Sequence, residues 1–402
     1  MLEARSDSSA ATLAYLRSPR AIRERCRALL ELGLADRLPH FRVDLARLPA
    51  VADFVLDVTR EAYPALDIPV HSRWGHFDVG GVARNAELNA RLAPLPAAER
   101  ARAKLDLAVT SVLLDAGSGP AWKYVEQPGG GTYARSEGLA VASFRMFLAG
   151  AFSSDPSQPL RADAEGLRGL SLEALARGFQ VTDGNPLAGL EGRLALLHGL
   201  GRVLPRPGTL YDLLAARGPR VTATDVLGQV LESLGPIWPG RVTLDGVNLG
   251  DVWPHSALGA VDDPNALVPF HKLSQWLTYS LLEPLEEGGL TVTGLDALTG
   301  LPEYRNGGLL VDMGLLVPRD ERLLSDAFAP GAEPIVEWRA LTVALLDEVG
   351  KRVRERLGMT AEQLPLAKVL QGGTWSAGRK IAAQKRPGGT PPIRIESDGT
   401  VF

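Results

Sequence analysis

Apolar positions return along most of this chain with the three- and four-residue spacing of helices. From residues 10 to 35 Ala and Leu recur in that rhythm, and Gly33 stands near the expected end, predicting one helix. FRVDLARLPAVADFVLDVTREAYP predicts another, ended by Pro64. Residues 97–115 predict a third, with Leu105, Leu107, Val109 and Leu113 among its apolar positions, and a fourth runs through Ser143, Phe144, Arg145 and Met146. Beyond residue 165 short helices alternate with tight turns: LSLEALARGF, LAGLEGRLALLHGLGRVL, LYDLLAARG and VTATDVLGQVLESLG, the last with Thr or Asp at its start. The clearest helix is predicted from Pro269, a permitted first-turn proline, to about Glu283, where Pro284 should stop it. IVEWRALTVALLDEVGKRVRERLG predicts another long one.

Alternation with a period of two is scarce. GRVTLDGVNLGDVW predicts a two-stranded hairpin, and PPIRIESDGTVF a terminal hairpin turning at Asp398-Gly399. The expected fold is therefore mainly α with small β-hairpin accessories. At 402 residues the chain exceeds one small core and predicts two domains, or one large domain with a satellite. The Pro/Ser-rich FSSDPSQPLRADAE, at 152–165, is the expected boundary. It would divide an N-terminal helical domain, 1–155, lending loops to a cleft, from a helical catalytic domain, 156–402, with the terminal hairpin. No internal repeat or long linker interrupts the pattern.

Composition changes this picture little. With 45% hydrophobic and 22% charged residues the chain can bury a core, and a net charge of -4 argues against a general nucleic-acid binder. The single cysteine, Cys26, makes no internal disulfide and no cysteine-based zinc site, and reads as a small buried apolar residue. The first residues carry Glu3, Arg5 and Asp7 without the apolar stretch of a signal peptide, and no apolar run approaches the roughly 20 residues of a membrane span. The expected location is the cytoplasm, with no membrane partner.

Candidate chemistry gathers in a few stretches. In LTGLPEYRNGG, residues 298–308, Glu303, Tyr304, Arg305 and Asn306 stand side by side. In the helix PFHKLSQWLTYSLLE, Lys272, Gln275, Tyr279 and Glu283 fall at spacings of three, four and four, on one stripe. A face with one cation, one anion, an amide and a phenol suits a half-buried site better than open water. A buried lysine needs a partner; Glu303, 31 residues on, and Glu283 are the nearest candidates. VHSRWGHF adds His71, Arg73, Trp74 and His76, and LLDAGSGPAWKY adds Asp115, a Gly-rich turn, Trp122 and Lys123. Such a turn beside cations can hold a phosphate. QGGTWSAGRK either wraps the cleft with Trp375 and Arg379 or is a structural turn. His71 and His76 lack the companions of a metal site, and no metal or other cofactor is implied.

These motifs together resemble the uracil catabolism protein 4 family. PFHKLSQWLTYSLLEPLEEGG, LTGLPEYRNGGLLVDMG, VHSRWGHF, DAGSGPAWKY and GGTWSAGRK carry the resemblance across residues 71–380. That family is tied to a uracil-degrading route through a ribosylated urea, and some members are labelled uracil phosphoribosyltransferase. The chain is more distantly similar to the queuosine salvage protein family, which hydrolyses the N-glycosidic bond of queuosine 5′-phosphate. Its F-Y-K-x-A-Q and A-D-Y-R-V-P-Q segments resemble Phe270–Gln275 and Pro302–Gly308 here, and its P-L-x-E-E-R helix resembles PLAGLEGRLALLHGLGRVL. The resemblance implies a helical, DNA-glycosylase-like (helix-hairpin-helix-like) core and a catalytic pair of Lys272 and Glu303. Here Glu replaces the family's Asp, and Asn306-Gly307-Gly308 replaces V-P-Q, which implies a different leaving group.

The implied reaction breaks an N-riboside through a transition state with positive charge on C1′ and the ring oxygen. Glu303 would stabilise that charge and orient water, and Lys272 would keep Glu303 ionised and aimed or assist the leaving group. Gln275, Asn306 and Asp312 are candidates to read a urea-like amide. Arg73, Lys123, Arg145 and Arg305 are candidates for a 5′-phosphate, and Trp74, Trp276 and Tyr304 for walls around the sugar. The expected partner is a ribosyl or phosphoribosyl small molecule; the oligomeric state is open. One rival is a phosphoribosyltransferase, but Asp262-Asp263 is followed by Pro264 and Asn265 rather than a Gly/Thr loop, and the parallel-sheet alternation is missing. The other is a protein that binds such a ligand without turnover.

Overall fold

The computed structural model describes residues 2–127 and 130–396, with side chains from Ser9 onward. It is mainly α-helical. The chain forms two compact units that interleave in sequence. The first takes the chain up to His71, Arg241–Gln275 and Gly294–Glu396; the second takes Ser72–Gly240 and Trp276–Thr293.

In the first unit the long helix Glu333–Leu357 packs against Pro19–Leu34 and Leu48–Ala62. Ile335, Trp338, Leu341, Leu345 and Val349 are buried along it, as are Ile22, Cys26, Leu29 and Leu30 on the first partner. Each such aliphatic side chain contributes roughly 1.5–3 kcal/mol on burial. The single helix expected over residues 10–35 is instead two, Leu2–Leu16 and Pro19–Leu34. Ser18 breaks the run: its extended backbone and its side chain, which accepts the Ala21 N–H, make it an N-cap, with Pro19 pre-set for the first turn.

The second unit is built around Ala97–Leu113, buried on nearly every position from Ala101 on, as befits a helix enclosed on all sides. Arg135–Leu148 and Leu190–Val203 pack on it. Ala223–Leu234 opens with a capping box between Thr222 and Asp225.

The helix expected to stop at Pro284 runs over Lys272–Glu287 with the proline inside it. Proline has no N–H for the carbonyl four residues earlier, that of Ser280. The Trp74 indole N–H donates to that carbonyl at 2.8 Å, so the helix continues without a buried orphan acceptor.

The strands form six two-stranded ladders among the described residues. The hairpin expected in GRVTLDGVNLG is present, pairing Thr243–Leu244 with Val247–Asn248 around Asp245 and Gly246, both at positive φ. Not every ladder is a hairpin: Phe41–Val43 pairs antiparallel with Leu316–Pro318, Arg220–Thr222 parallel with Thr291–Thr293, and Ala327–Phe328 parallel with Arg394–Ile395. The turn expected at Asp398-Gly399 lies outside the described residues.

The units do not part near residue 155. The stretch read as a boundary is a closed loop inside the second unit. Asp163 donates its N–H to the Phe152 carbonyl, and its carboxylate accepts from the backbone N–H groups of Ser154 and Gly166. Among the described residues no helix is long and apolar enough to cross a membrane, and no cluster of three His, Cys, Asp or Glu could hold a metal.

Candidate functional site

The first unit holds the lysine and the acid singled out in the sequence. Lys272 is the first residue of its helix, entered from the strand Leu267–Pro269. The entry is fixed by Asp251. Its carbonyl accepts the Phe270 and His271 N–H groups, and its carboxylate accepts the Lys272 N–H at 3.1 Å. The same carboxylate receives Arg339 in a fork, at 2.8 and 2.7 Å, and the Trp253 indole at 2.7 Å. Burial pushes the Asp251 carboxyl up, but the Arg339 charge and hydrogen bonds outweigh it and hold the group well below the usual carboxylate range. His271, between strand and helix, sits at φ 46°, a strained setting for a non-glycine residue, and its Nε2 bonds the Leu16 carbonyl at 2.9 Å.

Glu303 arrives on a second helix N-terminus. LPEYRNGG is not a surface loop: Tyr304–Asp312 is a helix, and Glu303 is its N-cap in extended backbone after Leu301-Pro302. Its two carboxylate oxygens accept the N–H groups of Arg305 at 2.7 Å and Asn306 at 2.6 Å. The glycines that follow are packing residues. A Cβ on Gly307 would lie 2.6 Å from the Trp338 ring, whose indole N–H donates to the Gly307 carbonyl. Gly378, on the helix Trp375–Lys385, lets that helix approach the Arg305 carbonyl.

Both key side chains are buried, Lys272 at 7% exposure and Glu303 at 8%. Burial pushes the Glu303 carboxyl above its ordinary range; the Arg305 N–H, the Lys272 charge and the Asn306 N–H pull it down without offsetting that push. Lys272 also bears on His71. Burial, aided by the Lys272 charge, lowers that imidazole to about 4. His71 Nδ1 bonds the Gln371 side-chain oxygen at 2.8 Å, and Gln371 donates in turn to the Tyr63 hydroxyl at 3.0 Å. An amide oxygen only accepts, so Nδ1 carries the proton. Gln371 lies in a π-helical turn, Leu370–Thr374, whose Gly372 and Gly373 lie close against Ile68, Thr59 and Val55. Trp375 follows it, 6.1 Å from the His71 ring, with the exposed Arg379 guanidinium 4.9 Å from its own ring centroid.

Of the three residues expected to read an amide, two are occupied. Asp312 holds Arg386 in a fork at 2.7 and 2.5 Å. Gln275 spends all its hydrogen-bonding capacity on Phe270 and Thr299. Asn306 differs: its Nδ2 donates to the Leu301 carbonyl at 3.0 Å, while its buried Oδ1 meets no donor among the described residues. Arg305 is buried, gives one N–H to the Gly389 carbonyl and lies over the Tyr304 ring.

The other predicted residues belong to the second unit, where most have structural partners. Arg73, fully buried, bonds Asp115 at 2.6 Å together with Ser111 and Ser136. Arg145 is divided between Glu87 and Glu126. Trp122 is a core residue, its indole donating to the Phe179 carbonyl, and Lys123 is exposed on a hairpin strand. Trp276 is buried, 5.5 Å from the His76 ring centroid and 5.4 Å from the Arg73 guanidinium; Tyr279 is buried, and Glu283 is exposed. Sequence reading missed Asp251, Arg339, Gln371 and Thr299, whose partners lie tens of residues away with no local spacing to reveal them.

Comparison with known proteins adds breadth to this geometry. A family model described as "Protein of unknown function (DUF1688)" matches residues 15–402. Protein urg3 of Schizosaccharomyces pombe is 43% identical over 98% of this chain and 100% of its own length. Uracil catabolism protein 4 of Lachancea kluyveri is 39% identical over 90% of this chain and 92% of its own. The resemblance first read from short motifs therefore extends along nearly the whole sequence.

Proposed function

The chain belongs to the DUF1688 family, and from that membership and the buried, electrostatically coupled Lys272 and Glu303 we propose that it is an N-ribosyl hydrolase of uracil catabolism. The substrate is a ribosyl urea, in its 5-phosphoribosyl form, and the products are urea and ribose 5-phosphate. The place in uracil catabolism is supported by the relative that carries that name. The distant similarity to the queuosine salvage family, with its glycosylase-like core, supports the reaction type.

The observation that carries the reading is a buried carboxylate capping a helix N-terminus, whose ionisation the charge of a buried lysine favours. As the C1′–N bond breaks, positive charge grows on the sugar, and a carboxylate already aimed there stabilises it. Water adds its oxygen to C1′ and gives up a proton toward Glu303; the departing nitrogen gains one from Lys272 or solvent. Each Glu303 oxygen accepts one backbone N–H and keeps a second lone pair for water or sugar. The Asn306 Oδ1 can accept an N–H from the urea. The transferase rival gains nothing from Asp262-Asp263: the Asp263 carboxylate accepts the Asn265 N–H in a tight turn, and a strand follows.

The test is urea release from ribosylurea 5-phosphate by the purified protein, with and without a chelator. Glu303→Gln should lower kcat/KM about 10²–10⁴-fold. Absence of urea with the wild type, full activity in Glu303→Gln, or a requirement for pyrophosphate would overturn the reading.

A further inference from the structure

Gln275 lies three residues beyond Lys272 and is fully buried. Its Nε2 donates to the Phe270 carbonyl at 3.1 Å and to the Thr299 hydroxyl at 2.9 Å. Its Oε1 accepts the Thr299 N–H at 3.0 Å and the Thr299 hydroxyl at 3.0 Å. An amide side chain has two donor hydrogens and two acceptor sites, and here all four are taken. Gln275 therefore has nothing left for a ligand. What it joins is informative. Phe270 ends the approach to Lys272, and Thr299 stands four residues before Glu303, in the connection that leads to the capped helix.

We propose that Gln275 is a positioning residue: through Thr299 it locks the segment that delivers Glu303 against the start of the helix that delivers Lys272. This rests on the reading of those two residues as the catalytic pair. Lys272 and Glu303 stand on different segments, and neither N-terminal cap refers to the other; Asp251 fixes the lysine and the Arg305 and Asn306 N–H groups fix the acid. Three of the amide's four bonds cross to Thr299 and set the register of the two segments, and the fourth, to the Phe270 carbonyl, fixes the amide on its own segment. Gln fits because it offers donors and acceptors together; a carboxylate would face the Phe270 carbonyl without a donor. A misplacement of about 1 Å in such a pair costs on the order of 10²-fold in rate.

The experiment titrates Glu303 by carboxyl ¹³C NMR in the wild type, Gln275→Leu, Thr299→Val and Thr299→Ser, with urea release followed against pH in parallel. Loosening the clamp moves the Lys272 charge away from Glu303. Its midpoint should then rise, on the order of one pH unit in Gln275→Leu, less in Thr299→Val, and not in Thr299→Ser, which keeps the hydroxyl. The acid limb of kcat/KM should move the same way. A merely structural tie would lower the melting temperature and leave the midpoint in place; an unchanged midpoint in folded Gln275→Leu and Thr299→Val overturns the proposal. Should Gln275→Leu not fold, Thr299→Val decides alone. If the wild type releases no urea, the hydrolase reading falls, while the titration still decides the positioning role.

Discussion

Lys272 acts on two titratable groups of opposite kind, and the signs of those effects can be measured. Its charge opposes protonation of His71 and favours ionisation of Glu303. Replacing it with Met should raise both midpoints, His71 from about 4 toward the ordinary histidine range and Glu303 further above its own. Imidazole and carboxyl NMR titrations check this, and two unmoved midpoints would mean that the lysine faces neither group. The stability consequences differ. His71 is depressed in the folded state, so stability is full above the ordinary histidine pKa of about 6.5 and is lost as pH falls toward about 4, by roughly 3 kcal/mol at most. Glu303 is raised, so its contribution is largest at acid pH and is lost as pH climbs through the range above the ordinary glutamate value. Lys272 stood out in the sequence because a buried cation demands an anion, with Glu283 and Glu303 both candidates, and the family resemblance pointed to Glu303. It could not show that Arg73 and Arg145, read as phosphate ligands, already hold Asp115, Glu87 and Glu126. Nor could it show that Gln275 and Asp312 are committed elsewhere, since those partners are remote along the chain.

Helices follow from periodicity, and their positions here were mostly legible; what tertiary contacts decide was not. Pro284 reads locally as a stop, and only the Trp74 indole on the Ser280 carbonyl lets the helix run on to Glu287. Trp74→Phe should therefore destabilise the protein by about 1–3 kcal/mol, the cost of a buried carbonyl left without a donor. Pro284→Ala restores a backbone N–H for that carbonyl, so the same Trp74 change should cost less in that background. Urea denaturation of the four proteins gives the coupling; strict additivity would show that the indole does not substitute for the missing N–H. The strands were harder to read for a related reason. Ladders of two or three residues are too short for alternation to register, and Phe41–Val43, Arg220–Thr222 and Ala327–Phe328 find partners far along the chain. Gly307 illustrates the same limit: glycine is locally a poor helix residue, yet it sits in a helix at a point where Trp338 leaves no room for a side chain.

For the whole molecule, sequence order and spatial order disagree. A break near residue 155 looks natural by composition, but the first unit needs the chain up to His71 together with Arg241–Gln275 and Gly294–Glu396, and the second needs Ser72–Gly240 together with Trp276–Thr293. A cut at 155 divides both. It strands the helix Ala97–Leu113 from Leu190–Val203, whose Arg193 guanidinium donates to the carbonyls of Leu114, Ala116 and Gly117. It also strands the strand Phe41–Val43 from Leu316–Pro318, and Pro19–Leu34 from the long helix Glu333–Leu357. Each fragment would expose apolar faces that the intact chain buries, at about 25 cal/mol per Å², with buried arginines left short of acceptors. Fragments 1–155 and 156–402, expressed separately, should therefore show no cooperative thermal unfolding and few dispersed amide resonances. When co-expressed they should recover both by reassociating. A fragment 1–155 that melts cooperatively alone would show that the N-terminal third is self-sufficient and that the interleaved units do not govern folding.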